Sequence, residues 1–219
     1  MSLLLALALA AAVAWYLQER QRSGAGASAA ARARRLRSPL VRLATLAGIQ
    51  TARGRRADQW AAGAAGERQT AARLAPLARQ GWTVLHDRAL PGSRANVDHV
   101  TISPAGVVVV VDSKRWSARY PLRVTGGRLL HGQHDVTDRL RGIRHEAQTV
   151  SRLLDCPVIP LVSMDGPAVP AAGLVLDGIR IVPADQLVPA LRRIARRHRA
   201  VGDHPAARAA RVLKPYGRN

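Results

Sequence analysis

The stretch Gly106-Val107-Val108-Val109-Val110-Val111-Asp112-Ser113-Lys114-Arg115-Trp116 decides the fold. Five consecutive valines behind the turn residues Pro104-Ala105-Gly106 predict a strand covered on both faces, the interior of a sheet between helices. The run stops at Asp112, where another apolar residue would be expected. Strand side chains alternate, so Asp112 and Lys114 point to one side and Ser113 to the other.

Working outward, Asn96 to Ser103 (NVDHVTIS) reads as the preceding strand, with Asp98, Val100 and Ile102 on one side and Val97, His99 and Thr101 on the other. A tight turn joins it to the valines, so Asp98 can approach Asp112. Trp82 to His86 is a further short strand, and Gly126-Gly127 connects a hairpin of Tyr120–Val124 and Arg128–Leu130. Asp58 to Gln80 is expected to be a helix ended by Gly81, with Pro76 kinking or restarting it. Val136 to Leu154 is a helix with Leu140, Ile143, Ala147, Val150 and Leu154 at helical spacing. Val158–Val162 and Ile179–Val182 are strands, and Ala184 to Arg197 is an amphipathic helix. This order indicates an α/β fold, a mixed sheet flanked by helices.

Charge is distributed unevenly. The 219 residues carry a net +20, but residues 1–57 contribute +9, residues 191–219 contribute +8, and the middle is nearly balanced at +3. Of the 34 cations, 32 are arginine and only Lys114 and Lys214 are lysine, so a lysine is the more informative cation here. One cysteine, Cys156, excludes a disulfide framework or a Cys-rich zinc site, and it reads as core. The histidines have no zinc spacing, and no phosphate-binding G-x-x-x-x-G-K-[ST] loop is present.

Leu3 to Leu17 is an uncharged apolar run followed by arginines, which predicts a transmembrane anchor (1–18) with the remainder in the cytoplasm. A cleaved signal peptide, with Ala12-Val13-Ala14 as the cleavage region, is the rival reading. Residues 19–57 read as a basic linker, flexible over Ser23–Ala33. Its apolar-basic stretch Leu40–Ile49 suits either an anionic leaflet or solvent. The folded domain is expected over 58–190, with a basic C-terminal helix and tail over 191–219.

Chemistry concentrates in Glu67, Asp98, Asp112 and Lys114. Two carboxylates and an ammonium beside an apolar strand make a site for a hard divalent cation, which takes oxygen ligands. Glu67 interrupts the helical stripe Trp60, Ala64, Ala71, Leu74, Ala78 with a charge facing the core. Gly63 and Gly66 are expected to let that helix approach the sheet closely.

These segments carry a resemblance. G-A-A-G-E-R-Q-T (63–70), H-D-R-A-L-P-G (86–92), N-V-D-H-V (96–100) and G-V-V-V-V-V-D-S-K-R-W (106–116) resemble the nuclease-related domain, NERD, of the PD-(D/E)xK nuclease superfamily. The resemblance implies a restriction-endonuclease-like fold and Mg²⁺- or Mn²⁺-dependent hydrolysis of nucleic acid phosphodiesters, DNA foremost. It implies Asp98, Asp112 and Glu67 as metal-side ligands, and Lys114 as the electrophile or water-positioning group. Gln148, on the following helix, is an accessory candidate by the same route. Asn96 and His99, which flank Asp98, are candidates to orient it or to touch phosphate. Arg115, Arg192, Arg193 and Arg196 are candidate nucleic-acid contacts. The alternative is an inactive nuclease-fold module that binds nucleic acid or a protein partner at the membrane.

Overall fold

The computed structural model describes residues 24–93, 95–198 and 205–216. The anchor expected over 1–18 lies outside them. Among the described residues no helix is long and apolar enough to cross a membrane.

The chain is a mixed α/β structure. Three helices come first: α1 (Ala27–Leu36), α2 (Pro39–Leu46) and α3 (Ala52–Ala78). Strands β1 (Thr83–Ala89), β2 (Asn96–Ile102) and β3 (Val108–Arg115) follow, then a small sheet of β4 (Leu122–Thr125), β5 (Arg128–His131) and β6 (His134–Asp135). Helix α4 (Arg141–Leu154), β7 (Val158–Asp165), β8 (Leu174–Leu176), β9 (Ile179–Pro183), α5 (Leu187–Arg197) and α6 (Pro205–Val212) complete it. The main sheet has the order β1-β2-β3-β7-β9-β8, with β3, β7 and β9 parallel and the other pairs antiparallel. The expected hairpin forms, but it joins β6 in a separate sheet.

The valine run behaves as its composition requires. Val109 and Val111 pack with Leu74 and Leu77 of α3 and Leu187, Leu191 and Ile194 of α5. Val108 and Val110 belong to the opposite cluster with Ile143, Val150 and Leu154 of α4 and Ala209 of α6. Helices α3 and α5 therefore cover one face, and α4 and α6 the other. Cys156 is buried core.

Four local expectations are corrected. Helix α3 begins at Ala52, not Asp58, because Thr51 caps it by accepting the Gly54 N–H at 3.0 Å. It runs through Pro76 to Ala78. Its buried positions include Ala64, Glu67, Thr70, Leu74 and Leu77, so the stripe turns onto Thr70 and Leu77 in place of Ala71 and Ala78. A Cβ added to Gly63 or Gly66 would meet nothing, so neither glycine brings the helix closer to the sheet.

The fourth correction concerns Ser23–Ala33, read as flexible. Ala27, Ser28, Ala29 and Ala33 of α1 are buried, and α1 packs along α3. A Cβ on Gly26 (φ +75°) would lie 2.6 Å from the Ala64 carbonyl oxygen. The small side chains that resemble linker composition are what allow this close helix contact. The N–H of Ser28 then donates to Asp87 Oδ2 at 2.6 Å, tying α1 to β1.

Candidate functional site

The site forms where the two ladders of β3 diverge. Pairing with β7 continues through Asp112↔Val162 and Lys114↔Met164 to Arg115↔Asp165. Pairing with β2 reaches only His99↔Val111. Beyond it, the Ser113 N–H donates to the Asp98 carboxylate (Oδ2) at 3.0 Å. Asp98 thus satisfies the strand edge that its own backbone leaves.

Asp112 is buried, and its Oδ2 lies 2.6 Å from Lys114 Nζ. Burial works against the Lys114 ammonium, but the charges of Asp112, Asp98 and Glu146 outweigh it and raise its pKa above the usual lysine value. Lys114 is therefore a held cation in this arrangement.

Glu67 approaches from the α3 side. Burial, followed by repulsion from Asp87 and Asp112, raises its carboxyl to about 7. Asp98 is pushed well above the carboxylate range by burial and by Glu67, Asp112 and Glu146. Glu146 comes from α4, the opposite layer. Burial and the charge of Asp112 lift it to about 8, even with Lys114 opposing. Four carboxyl groups from both helical layers and two strands thus face one ammonium at the end of β3. Oε2 of Glu67 and Oε2 of Glu146 are buried and accept no hydrogen bond from the described residues. Buried oxygens without donors are uncommon in finished cores.

Sequence reasoning placed Glu67, Asp98, Asp112 and Lys114, and the fold brings them together. It did not find Glu146. Its helical position carried only a partial signal. At 100° per residue, Glu146 lies about 70° from the centre of the Ile143/Ala147/Val150/Leu154 stripe, while Gln148 lies about 130° away. Gln148 is accordingly exposed and lines an outer groove with Arg144, Arg152 and Asp177, away from the acids. Asn96 donates from Nδ2 to Asp87 Oδ1 at 2.9 Å. His99 is fully buried between His86 (Nδ1 to Nδ1, 2.8 Å) and the Ser113 hydroxyl (3.1 Å), and burial depresses its pKa well below the usual value. A neutral imidazole at that place braces β1, β2 and β3.

Arg115 is exposed and pairs with Asp165 at 3.5 Å. Arg192 is bonded to Gln80 Oε1 at 3.0 Å. Arg193 borders a groove with Arg180 and Arg197, and Arg196 is exposed on α5. These three belong to the α5 surface.

Among the described residues no three His, Cys, Asp or Glu side chains are placed to hold one ion together. The donor chemistry nevertheless fits a hard cation: the ligand atoms are carboxylate oxygens, two of them have no partner among the described residues, and their pKa values are raised by burial and then by mutual repulsion. Mg²⁺ commonly uses one or two carboxylates and keeps several waters, so a three-acid cage is not required.

A family model described as nuclease-related domain matches residues 62–165, a span holding Glu67, Asp98, Asp112, Lys114 and Glu146. Searches of curated proteins and of solved structures gave no match. Residues 62–165 of this chain are a nuclease-related domain of the NERD family.

Proposed function

We propose that the chain is a metal-dependent nuclease with a restriction-endonuclease-like domain, hydrolysing phosphodiester bonds in nucleic acid, with DNA as the expected substrate. The observation that carries this reading is the set of four carboxyls and one lysine at the end of β3, with two buried oxygens lacking donors. Asp98 and Asp112 would hold Mg²⁺ or Mn²⁺, the rest of its shell being water, with Glu67 acting through one of those waters. The cation would supply the charge that acidifies an attacking water and offsets charge on the scissile phosphate.

The side chains divide the remaining work. Lys114 presents an ammonium to a non-bridging phosphate oxygen, where charge grows as water attacks phosphorus. Asp112 fixes that ammonium through the 2.6 Å pair. Glu146, raised to about 8 by burial and the charge of Asp112, would in its ionised form take the proton of the attacking water and return it to the leaving oxygen. Arg115, exposed just beyond Lys114, can contact the backbone on either side of the scissile bond.

The full chain should cleave DNA with Mg²⁺, stop with a chelator, and be inactive as Asp112→Ala. Equal cleavage by wild type and Asp112→Ala would end the reading. Metal binding without cleavage of duplex, single-stranded or branched DNA or RNA would favour the inactive module. The apolar run Leu3–Leu17 and the arginines after it support a single-pass anchor with the domain on the cytoplasmic side. Protease accessibility of a C-terminal tag in intact cells and in lysates tests that orientation.

A further inference from the structure

Helix α2 presents its apolar side to solvent. Val41 is its buried anchor, packed over Gly54 of α3, whose added Cβ would sit 3.6 Å from Val41 Cγ1. At 100° per residue, Leu40, Leu43 and Leu46 occupy the arc opposite Val41. They are 78%, 62% and 85% exposed, and Ile49, just past the helix, is 60% exposed. Four of the six exposed large hydrophobic residues among those described thus fall in one ten-residue stretch. Concentration of this kind marks a contact surface, whereas scattered apolar residues need no explanation.

The surrounding charge is of one sign. Residues 24–57 contain eight arginines and no acid. Arg34, Arg35, Arg42, Arg53, Arg55 and Arg56 are exposed. Between the end of α1 and the start of α3 lies a cleft of about 510 Å³ lined by Leu36, Arg53, Arg55, Arg56 and Gln59.

We propose that α2 and this arginine rim dock on an anionic lipid bilayer surface, the α2 leucines entering the headgroup–acyl boundary and the arginines meeting lipid phosphates. A nucleic acid backbone would engage the arginines but offers nothing to Leu40, Leu43, Leu46 and Ile49. A bilayer surface satisfies both, since interfacial helices combine an apolar face with a cationic flank. Only Gln18–Ser23 separates the Leu3–Leu17 run from Gly24, a reach of about 20 Å when extended, so a bilayer holding that run is within reach of α2. The docking deepens the anchoring part of the proposed reading and rests on it, but not on the nuclease chemistry. It holds the active domain against the membrane face where a bare tether would let it swing.

The test uses the full chain in a Cys156→Ala background, with an environment-sensitive fluorophore at Leu46→Cys and, as control, at the exposed Val175→Cys. It is reconstituted into phosphatidylcholine vesicles with and without phosphatidylglycerol, and quenched with brominated lipid. The Leu46 label should shift to the blue and be quenched several-fold more strongly than the Val175 label in the anionic vesicles. That difference should be lost in phosphatidylcholine alone, in high salt and with Leu43→Glu. Vesicle flotation with equal quenching at both labels would overturn the docking and leave the anchor standing, whereas no flotation would overturn both. Shielding of the Leu46 label without lipid would overturn it in favour of a second copy or the Leu3–Leu17 run as occupant, and shielding by DNA would do so in favour of nucleic acid.

Discussion

Two groups of buried acids, close enough that the charge of Asp87 is felt at Glu67, are treated oppositely by the fold. Asp87 sits in β1 with φ +47°, between the pairs His86↔His99 and Arg88↔Val97. Its two oxygens receive the Ser28 N–H and the Asn96 amide, at 2.6 and 2.9 Å. Glu67 and Glu146 each keep one buried oxygen without a donor, and their carboxyls rise to about 7 and about 8. Burial opposes ionisation in both groups, but both oxygens of Asp87 have donors in return, whereas Glu67, beside its bond to the Gly26 backbone, and Glu146 each keep one bare oxygen. The satisfied acid fastens α1 to β1. The unsatisfied ones retain binding capacity for a ligand, and that capacity separates a functional carboxylate from a structural one.

The contrast breaks most sharply at Asp112. Asp112→Ala should lower the DNA cleavage rate by about 10²-fold or more, as loss of a principal charge-stabilising group does, while thermal stability stays within a few degrees of wild type. Lys114→Ala should follow it. A stability loss that accounts for the activity loss would place Asp112 with Asp87 instead.

Asp87→Ala should show the reverse. It leaves the Ser28 N–H and the Asn96 amide without acceptors and puts alanine at positive φ, a cost of about 2–4 kcal/mol, or roughly 5–15 °C in Tm. Soluble protein, assayed below its transition, should still bind Mg²⁺. Calorimetry with the two variants side by side checks both halves of the contrast.

A smaller effect is expected from pH. Unfolded, the glutamates lose their protons near 4.5; folded, Glu67 and Glu146 keep them to about 7 and about 8. Between these limits the folded state binds more protons, so metal-free stability is present at low pH and falls as pH rises through 5 to 8. Divalent cation should restore it, most at pH 8 and least near pH 5. Glu146→Gln should flatten the metal-free decline, as one ionisable group is removed. The buried imidazoles of His86 and His99 act in the opposite sense below their usual value of 6.5, so a Tm profile of metal-free protein that rises between about pH 7 and 8 would contradict the assigned burial.

The smallest effect belongs to Gln148. Exposed on the far side of α4, Gln148→Ala should change stability by less than about 0.5 kcal/mol and leave cleavage unaltered. Together with Glu146→Gln it asks which face of one helix serves the site.

Much of this was legible before folding. The valine run gave a central strand, alternation put Asp112 and Lys114 on one side, and helical spacing turned Glu67 inward. Glu146 was obscured because a glutamate beside an apolar stripe reads as a solvated flank until the opposite layer closes over it. The helix at Ala27–Leu36 was obscured because alanine and glycine carry almost no hydrophobic signal, although their smallness is what the contact with Ala64 requires.

The amino-acid sequence by itself therefore determined the covered strand and the Asp-x-Lys at its end, since these depend on spacing within a few residues, and the family of residues 62–165, which follows from the order of motifs along the chain. The tertiary structure alone decided that carboxylates from opposite layers meet there. It also decided that Asp87 is satisfied while Glu67 and Glu146 are not, and that the α2 leucines are left outside. Those outcomes depend on strand order, on where the β2–β3 ladder stops and on how each helix is rotated against the sheet. These are contacts between distant segments, and local periodicity does not encode them.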